Sequence, residues 1–467
     1  MLRLVALSLL AMSCAASQHE PTSARGSLIR GSVLVPSAGN LAVYWLLPGE
    51  VHRDPRDPSR WGLRSMRAAR NVLSRTLAFA DVRPNKRISF RLKAPSDAMV
   101  FALLDVHGRI FDTLLDGAAP GDWSAAAEDA GRTGRADLVL TKRGTAAPTK
   151  ERCNGPRDHL EVIDAPEVAG TVGNDTHRRL CVHLPDGYDA ESTRRYPVVY
   201  VLPGFSGQDS GGSIELVFRS ADEASDERRA IFVGVNIATK HGASYLVDSP
   251  LSGNFDKFLT EIVPAFIDGA YRTRPSARAL IGQSTGGFDV VSLALRHSDR
   301  FGVAAESSAD GLDFGSWLLR ADGRHLSSLA HELLRLEDAF GPPGQMASYA
   351  ADWSPDPTAR RGYLWPASPI SGELIPDVWQ RWLSHSPSEL IKDPKILDGA
   401  RHRLSGNLYL TAGLNDDFDL YAPAKRFSEA LSAAGVSNQF VVDDEDHAGS
   451  IQRKRKMVTF VLERLSR

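Results

Sequence analysis

The sequence carries little net charge and, after its first residues, no long apolar run. Its 55 Lys and Arg residues and 57 Asp and Glu residues leave a formal charge of −2, which creates no field that would attract a polyanion. Nucleic acid is therefore not an expected partner, and no later segment is apolar for long enough to cross a bilayer. With 467 residues, 42% of them hydrophobic, the chain is expected to fold into two or three globular domains.

Residues 1–18 have the pattern of a secretory signal. A short basic start precedes an apolar core from Leu4 to Met12, and small residues follow. The triplet Ala11-Met12-Ser13 before Cys14 is similar to a bacterial lipobox, which predicts lipidation of Cys14. The alternative is ordinary cleavage near Ala16, with Cys14 discarded. Both alternatives predict export, to the periplasm, to the outer membrane as an anchored lipoprotein, or to the extracellular space.

Cysteine is scarce, and its 3 copies allow at most one intramolecular disulfide. If Cys14 is lipidated or removed, Cys153 and Cys181 remain as a pair in an oxidising compartment. A bridge between them would close a loop of roughly 30 residues and add about 3 kcal/mol of stability. We therefore predict a Cys153–Cys181 disulfide.

Residues 27–143 read as a separate β-rich domain, because short alternating or apolar runs are separated by Gly, Pro and Asp turns. This spacing predicts a small β-sandwich-like domain. We expect an accessory or packing domain, with a carbohydrate- or surface-binding role as the alternative. Residues 144–158 are predicted to be a linker.

Residues 159–467 alternate buried strands with helical patterns, which predicts an α/β fold with a mainly parallel sheet. The alternation stops between residues 309 and 403, an insertion that holds five of the 8 tryptophans. Those aromatic residues either form a lid over a pocket or build the insertion's own core. The later basic run from Arg453 to Lys456 is expected to be a solvated helix face.

A Gly-x-Ser-x-Gly turn, Gly282 to Gly286, separates an apolar run from a helical pattern. This is the strand, sharp turn and helix of a nucleophile elbow, in which glycines relieve crowding around the exposed Ser284. The backbone N–H of Thr285 would lie at the N-terminus of the following helix, where developing negative charge is stabilised.

A serine nucleophile needs a base within hydrogen-bond reach and an acid that orients the base. Asp416 and His447 follow Ser284 in the chain order of an α/β-hydrolase triad, each just after a predicted strand. Asp417 in the same loop is the alternative acid. The predicted oxyanion hole combines the N–H groups of Thr285 and Phe205, the latter in a Pro-Gly turn after a buried strand.

Several blocks of the sequence together resemble the esterase D-like branch of the α/β-hydrolases, which includes feruloyl and acetyl-xylan esterases, siderophore esterases, S-formylglutathione hydrolase and mycolyltransferases. The matching blocks are Val199–Phe205, Gly253–Pro264, Tyr271–Thr273, Ile281–Phe288, Gly413–Asp416 and His447. The resemblance implies a Ser-Asp-His carboxylic ester hydrolase that works without cofactor or metal. The chain departs from the family at Pro203, where His is usual, at Thr285, where Met is usual, and in the residues next to His447.

These observations predict an exported serine esterase that acts on a small-molecule or glycan-linked ester. One alternative is an acyltransferase of the same fold, which passes the acyl group to a sugar hydroxyl. A second is a non-catalytic surface protein that binds glycan and retains a relic hydrolase domain.

Overall fold

The structure is a computed structural model that describes residues 27–54, 57–63, 72, 75–106, 122–142, 153, 155–205, 207–223, 225 and 228–466. The predicted signal segment, residues 1–18 with Cys14, and most of the predicted linker lie outside the described residues. Within the described part, no helix is both long enough and apolar enough to cross a membrane.

The described part of the N-terminal region contains ten strands. They are β1 Ser27–Leu34, β2 Gly39–Leu46, β3 Val51–Asp54, β4 Asp57–Leu63, β5 Leu77–Val82, β6 Arg87–Ala94, β7 Met99–Asp105, β8 Trp123–Ala127, β9 Arg135–Val139 and β10 Thr141–Lys142. Strands β6-β1-β9 form one sheet, β10-β8-β7-β2-β5 form a second, and β3 pairs with β4. The two larger sheets enclose one hydrophobic core, so the predicted β-rich character is seen in the structure.

Strand β7 explains how this region contacts the rest of the molecule. All of its residues are buried, and successive side chains of a strand point to opposite faces. Val100, Ala102 and Leu104 belong to the core between the two sheets. Met99, Phe101 and Leu103 instead belong to a core shared with the insertion. The N-terminal sheet therefore packs its second face on the insertion.

Twelve further strands follow among the residues that the structure describes. They are β11 Asp158–Asp164, β12 His177–His183, β13 Tyr196–Leu202, β14 Ile231–Val235, β15 Ala238–Thr239, β16 Gly242–Ala243, β17 Asp248–Ser249, β18 Gly253–Asn254, β19 Thr273–Gln283, β20 Val303–Ser307, β21 Leu408–Gly413 and β22 Gln439–Asp443. Eight of them form one sheet in the order β11-β12-β14-β13-β19-β20-β21-β22. Strands β11 and β12 run antiparallel to their neighbours, and the other six are parallel. The predicted α/β-hydrolase fold with a mainly parallel sheet is confirmed.

The described α-helices are short to medium in length. They are α1 Ala130–Thr133, α2 Gly212–Ala221, α3 Phe255–Lys257, α4 Val263–Ala270, α5 Thr285–Arg296, α6 Phe314–Leu318, α7 Ser328–Phe340, α8 Gln345–Trp353, α9 Pro376–Leu383, α10 Pro387–Leu390, α11 Pro394–Gly399, α12 Tyr421–Ala433 and α13 Ile451–Leu465. A π-helical turn, Phe258–Ile262, joins α3 to α4. Helices α2 and α13 cover one face of the eight-stranded sheet, and α4, α5 and α12 cover the other, as a sheet with buried parallel strands requires.

The aromatic residues of the insertion build a core. Trp353, Trp379 and Trp382 are buried and pack around Phe314. Phe288 of α5, directly after the elbow, joins the same cluster. The insertion is thus packed on the helix that follows Ser284.

A disulfide joins Cys153 to Cys181, as predicted, with the two Cα atoms 5.6 Å apart. It links the chain just before β11 to the buried strand β12. Closing this loop, which spans 28 residues, stabilises the fold by about 3 kcal/mol.

Candidate active site

Ser284 lies on a strained turn between β19 and α5. Its φ is 57° and its ψ is −125°, a region that residues other than glycine seldom adopt. A Cβ on Gly282 would lie 2.1 Å from the carbonyl oxygen of Gly286, and one on Gly286 would lie 2.3 Å from that of Leu202. Both glycines are therefore required sterically, which is the reason the sequence pattern predicted an elbow here.

Ser284, His447 and Asp416 form a continuous chain of hydrogen bonds. Nε2 of His447 lies 3.0 Å from Oγ of Ser284. Nδ1 of the same ring lies 3.1 Å from Oδ2 of Asp416. Because Asp416 offers Nδ1 only an acceptor, Nδ1 carries the ring hydrogen and Nε2 is left free to accept the serine hydrogen.

Asp416 and Asp417 occupy different positions around His447. The carboxyl of Asp416 faces the ring, and its other oxygen accepts the backbone N–H of Phe418 at 2.9 Å. Burial alone would raise the pKa of Asp416, but hydrogen bonding to and attraction by His447 outweigh it and lower that pKa. Asp417 instead accepts the backbone N–H of His447, and burial raises its pKa. The structure therefore brings Asp416, rather than Asp417, to the imidazole.

The loop after β13 passes beside the nucleophile. A Cβ on Gly204 would lie 3.5 Å from Cβ of Ser284, so the residue before Phe205 lies beside the nucleophile. Thr285 is the first residue of α5, where backbone N–H groups have no acceptor within the helix. The loop after β13 and the start of α5 thus both lie next to Ser284, and the oxyanion hole formed by the N–H groups of Phe205 and Thr285 stays a prediction.

Side chains of α13 contact the loop that carries His447. Arg453 is 2% exposed and forms an ion pair with Asp443. Its guanidinium also donates to Oγ of Ser308 at 3.1 Å and to the carbonyl oxygen of Asp446 at 3.3 Å. Lys454 is equally buried, and burial lowers its pKa to about 7. The expectation of a solvated basic face was wrong for these two residues.

Glu306 links the segment that follows β20 to strand β21. This fully buried residue accepts the backbone N–H of Ala309 at 2.9 Å and that of Thr411 at 2.8 Å. Burial raises its pKa to about 8. Glu306 therefore ties the residue before Asp310 to the strand that precedes the Asp416 loop.

Asp310 is a residue of the site that sequence reasoning missed. It is 2% exposed, and its Oδ1 lies 3.3 Å from Oγ of Ser284. Its Oδ2 is surrounded by hydrogen-bond donors from three separate segments. These donors are Thr285 Oγ1 at 2.9 Å, Tyr245 OH at 3.1 Å, Gln345 Nε2 at 2.9 Å and Tyr349 OH at 3.1 Å. The insertion thus contributes Asp310 itself and two of its donors, Gln345 and Tyr349, to the environment of the nucleophile.

Among the described residues, one group of side chains has its possible ligand atoms close enough together to hold a metal ion. Cys153, Asp158 and Cys181 bring their ligand atoms together. The two sulfurs are bonded to each other and so are not thiolate ligands.

Comparison with known proteins adds one family match. The family model described as "Putative esterase" matches residues 173–440, more than half of the chain. This segment contains Ser284 and Asp416 and ends before His447. No curated protein matches the chain.

Solved structures of similar fold share little sequence with this chain. A ferulic acid esterase is 20% identical, with 66% of this chain and 98% of that chain covered and a TM-score of 0.42. An S-formylglutathione hydrolase from Agrobacterium tumefaciens is 15% identical over 68% of this chain and 98% of that chain, with a TM-score of 0.44. Mycobacterium tuberculosis MPT51 is 12% identical over 66% and 99%, with a TM-score of 0.45.

Proposed function

The chain belongs to the esterase family whose model it matches over residues 173–440, and from that premise we propose that it is an exported serine esterase with Ser284 as nucleophile. The observation that carries the proposal is the chain of hydrogen bonds from Ser284 through His447 to Asp416. Serine alone is a poor nucleophile, and this arrangement is the one that activates it.

In the acylation step, Oγ of Ser284 attacks the ester carbonyl carbon while Nε2 of His447 takes the hydroxyl hydrogen. The ionised Asp416 stabilises the imidazolium that forms, and it holds the ring in the tautomer that can accept this hydrogen. His447 then gives the hydrogen to the leaving alkoxide, which departs as the alcohol. Water repeats the sequence on the acyl-enzyme and releases the acid.

Negative charge develops on the carbonyl oxygen during both steps. The backbone N–H groups of Phe205 and Thr285 are proposed to bind that oxygen. Removal of one such donor typically costs about 100- to 1000-fold in rate, so this hole accounts for a substantial part of the proposed catalysis. The mechanism requires neither metal nor cofactor.

The proposed substrate is a small-molecule or glycan-linked carboxylic ester. The test is the turnover of p-nitrophenyl acetate by the wild type, Ser284→Ala and the control Ser292→Ala. Ser292 is a buried serine on α5, the helix that follows Ser284, and its hydroxyl has no hydrogen-bond partner among the described residues. We expect wild type and Ser292→Ala to hydrolyse the ester and Ser284→Ala to fall to background. Equal rates in wild type and Ser284→Ala would contradict the proposal.

Export is proposed from residues 1–18, and the Cys153–Cys181 bridge supports it because disulfides persist in oxidising compartments. Lipidation of Cys14 is tested by metabolic labelling with a fatty-acid analogue. Cys14→Ser is the unlabelled control, and an unlabelled wild type would exclude the anchor.

A further inference from the structure

The two carboxyl oxygens of Asp310 have different environments. Oδ2 has four neighbouring donors, from Tyr245, Thr285, Gln345 and Tyr349, although a carboxyl oxygen offers only two lone pairs. Oδ1 has the hydroxyl of Ser284 as its hydrogen-bonding neighbour, at 3.3 Å. This distribution of donors favours Oδ1, the oxygen that faces the nucleophile, as the site of any hydrogen that Asp310 carries.

Counting hydrogens along the triad decides whether Asp310 carries one. Nδ1 of His447 donates to Asp416, so Nε2 has a lone pair that needs a donor. Ser284 has a single hydroxyl hydrogen, and in the reactive arrangement this hydrogen points at Nε2. The contact between Oδ1 of Asp310 and Oγ of Ser284 then has no hydrogen unless Asp310 supplies it. Two oxygen acceptors facing each other in a buried site would be costly.

We propose that Asp310 acts as a neutral carboxylic acid whose Oδ1–H donates a hydrogen bond to Oγ of Ser284. This inference rests on the proposed function, because it assigns Asp310 a contact with the reacting oxygen. An ionised Asp310 would instead draw the serine hydrogen away from His447, and it would repel the oxyanion formed next to it. The neutral acid leaves that hydrogen directed at His447.

The proposed hydrogen bond matters most when the acyl-enzyme breaks down. Oγ of Ser284 is then the leaving group, and negative charge develops on it as its bond to the acyl carbon breaks. The O–H of Asp310 stabilises this charge and keeps its own hydrogen. The hydrogen that Oγ finally receives comes from His447, which took it from the attacking water.

The surroundings of Asp310 favour its neutral form. Tyr245, Tyr349, Thr285 and Gln345 carry no charge. Among the titratable groups around them, His447 and Asp289 interact electrostatically with Asp310. Asp352 accepts the backbone N–H of Tyr245, and Glu337 accepts that of Gln345. Burial raises the pKa of Asp310, although hydrogen bonds from Thr285, Tyr349 and Gln345 and the proximity of His447 act against it. Burial also raises the pKa of Asp289, and it raises that of Asp352 to about 7. A carboxylic acid kept neutral by a buried site so that it can donate is known chemistry in other enzymes.

Asp310→Asn tests the proposal, since the amide can place its oxygen among the four donors and its NH2 toward Ser284. Because the neutral form of a group with a raised pKa is lost as pH rises through that pKa, kcat/KM of the wild type should fall on the alkaline side. Asp310→Asn should lack this fall and keep kcat/KM within about tenfold of the wild type at its optimum. Asp310→Ala, which removes the donor, should lose about 100-fold. The control Asp289→Asn changes a neighbouring buried carboxyl and should keep the alkaline fall.

A larger loss in Asp310→Asn, or an unchanged alkaline fall, would overturn the proposal. A second readout does not depend on activity. The infrared difference spectrum of wild type minus Asp310→Asn at neutral pH should contain the band of a protonated carboxyl. A carboxylate band in its place would overturn the proposal even if the esterase activity is established. The protonated band in an enzyme without esterase activity would uphold the state of Asp310 while the proposed function fails.

Discussion

Replacing Asp416 by Asn isolates its role in setting the tautomer of His447. The Asp416 side chain is 1% exposed and lies 3.1 Å from Nδ1, so no water substitutes for the lost carboxylate. The new amide can donate to Nδ1, which moves the ring hydrogen to Nε2. Nε2 then cannot accept the hydrogen of Ser284. We expect kcat to fall about 10⁴-fold, which corresponds to roughly 5.5 kcal/mol of transition-state stabilisation.

The matched control is Asp417→Asn, which makes the same chemical change at the adjacent residue. Asp417 accepts the backbone N–H of His447, whereas Nδ1 of the ring faces Asp416, so the Asp417→Asn variant should stay within about tenfold of the wild type. Both variants are assayed for p-nitrophenyl acetate hydrolysis, and circular dichroism checks that each is folded. A large loss in Asp417→Asn together with near-normal Asp416→Asn would refute the assignment of the acid.

Two further predictions concern stability and are measured by urea unfolding. Gly286→Ala places a Cβ 2.3 Å from the carbonyl oxygen of Leu202 and should lower the free energy of unfolding by about 3 kcal/mol or more. The control Gly269→Ala lies in open space on α4, and it should leave the free energy of unfolding unchanged or raise it by up to about 1 kcal/mol. Equal stabilities of these two variants would contradict the steric account of the elbow. Arg453→Met leaves the buried polar partners of Arg453 unpaired, so it should lower the free energy of unfolding by about 3–5 kcal/mol and lower kcat. The control Lys456→Met, at an exposed position on the same helix, should change the free energy of unfolding by about 0.5 kcal/mol or less. Similar losses of stability in Arg453→Met and Lys456→Met would contradict a stabilising role for the buried Arg453.

The elbow and the order of Ser284, Asp416 and His447 could be predicted from sequence because their signals are local. A glycine-bracketed serine between a strand and a helix is visible within ten residues, and the two later residues each follow a buried strand. The choice between Asp416 and Asp417 could not be made from sequence, because adjacent side chains in a loop point in different directions. Only the backbone path of that loop separates them.

Asp310 was missed because its partners come from distant parts of the chain. Tyr245 follows β16, whereas Gln345 and Tyr349 lie in the insertion, and no local pattern connects them. One signal was present: the usual Met of the resembled family is replaced by Thr285, whose hydroxyl donates to Asp310.

Arg453 was misassigned because four consecutive basic residues are usually solvated. The helical period gives a different answer, since Arg453 lies one and two turns before Met457 and Val461. Both of those residues are buried, so Arg453 shares the face of α13 that packs on the sheet.

The most direct test of the central claim is covalent labelling of the full-length protein by a fluorophosphonate, followed by peptide mass spectrometry. The proposed triad activates Ser284, so a single adduct should form on the peptide that contains Ser284, and labelling should be abolished in Ser284→Ala. An unlabelled wild type, or an adduct on another residue that persists in Ser284→Ala, would contradict the assignment of Ser284 as nucleophile.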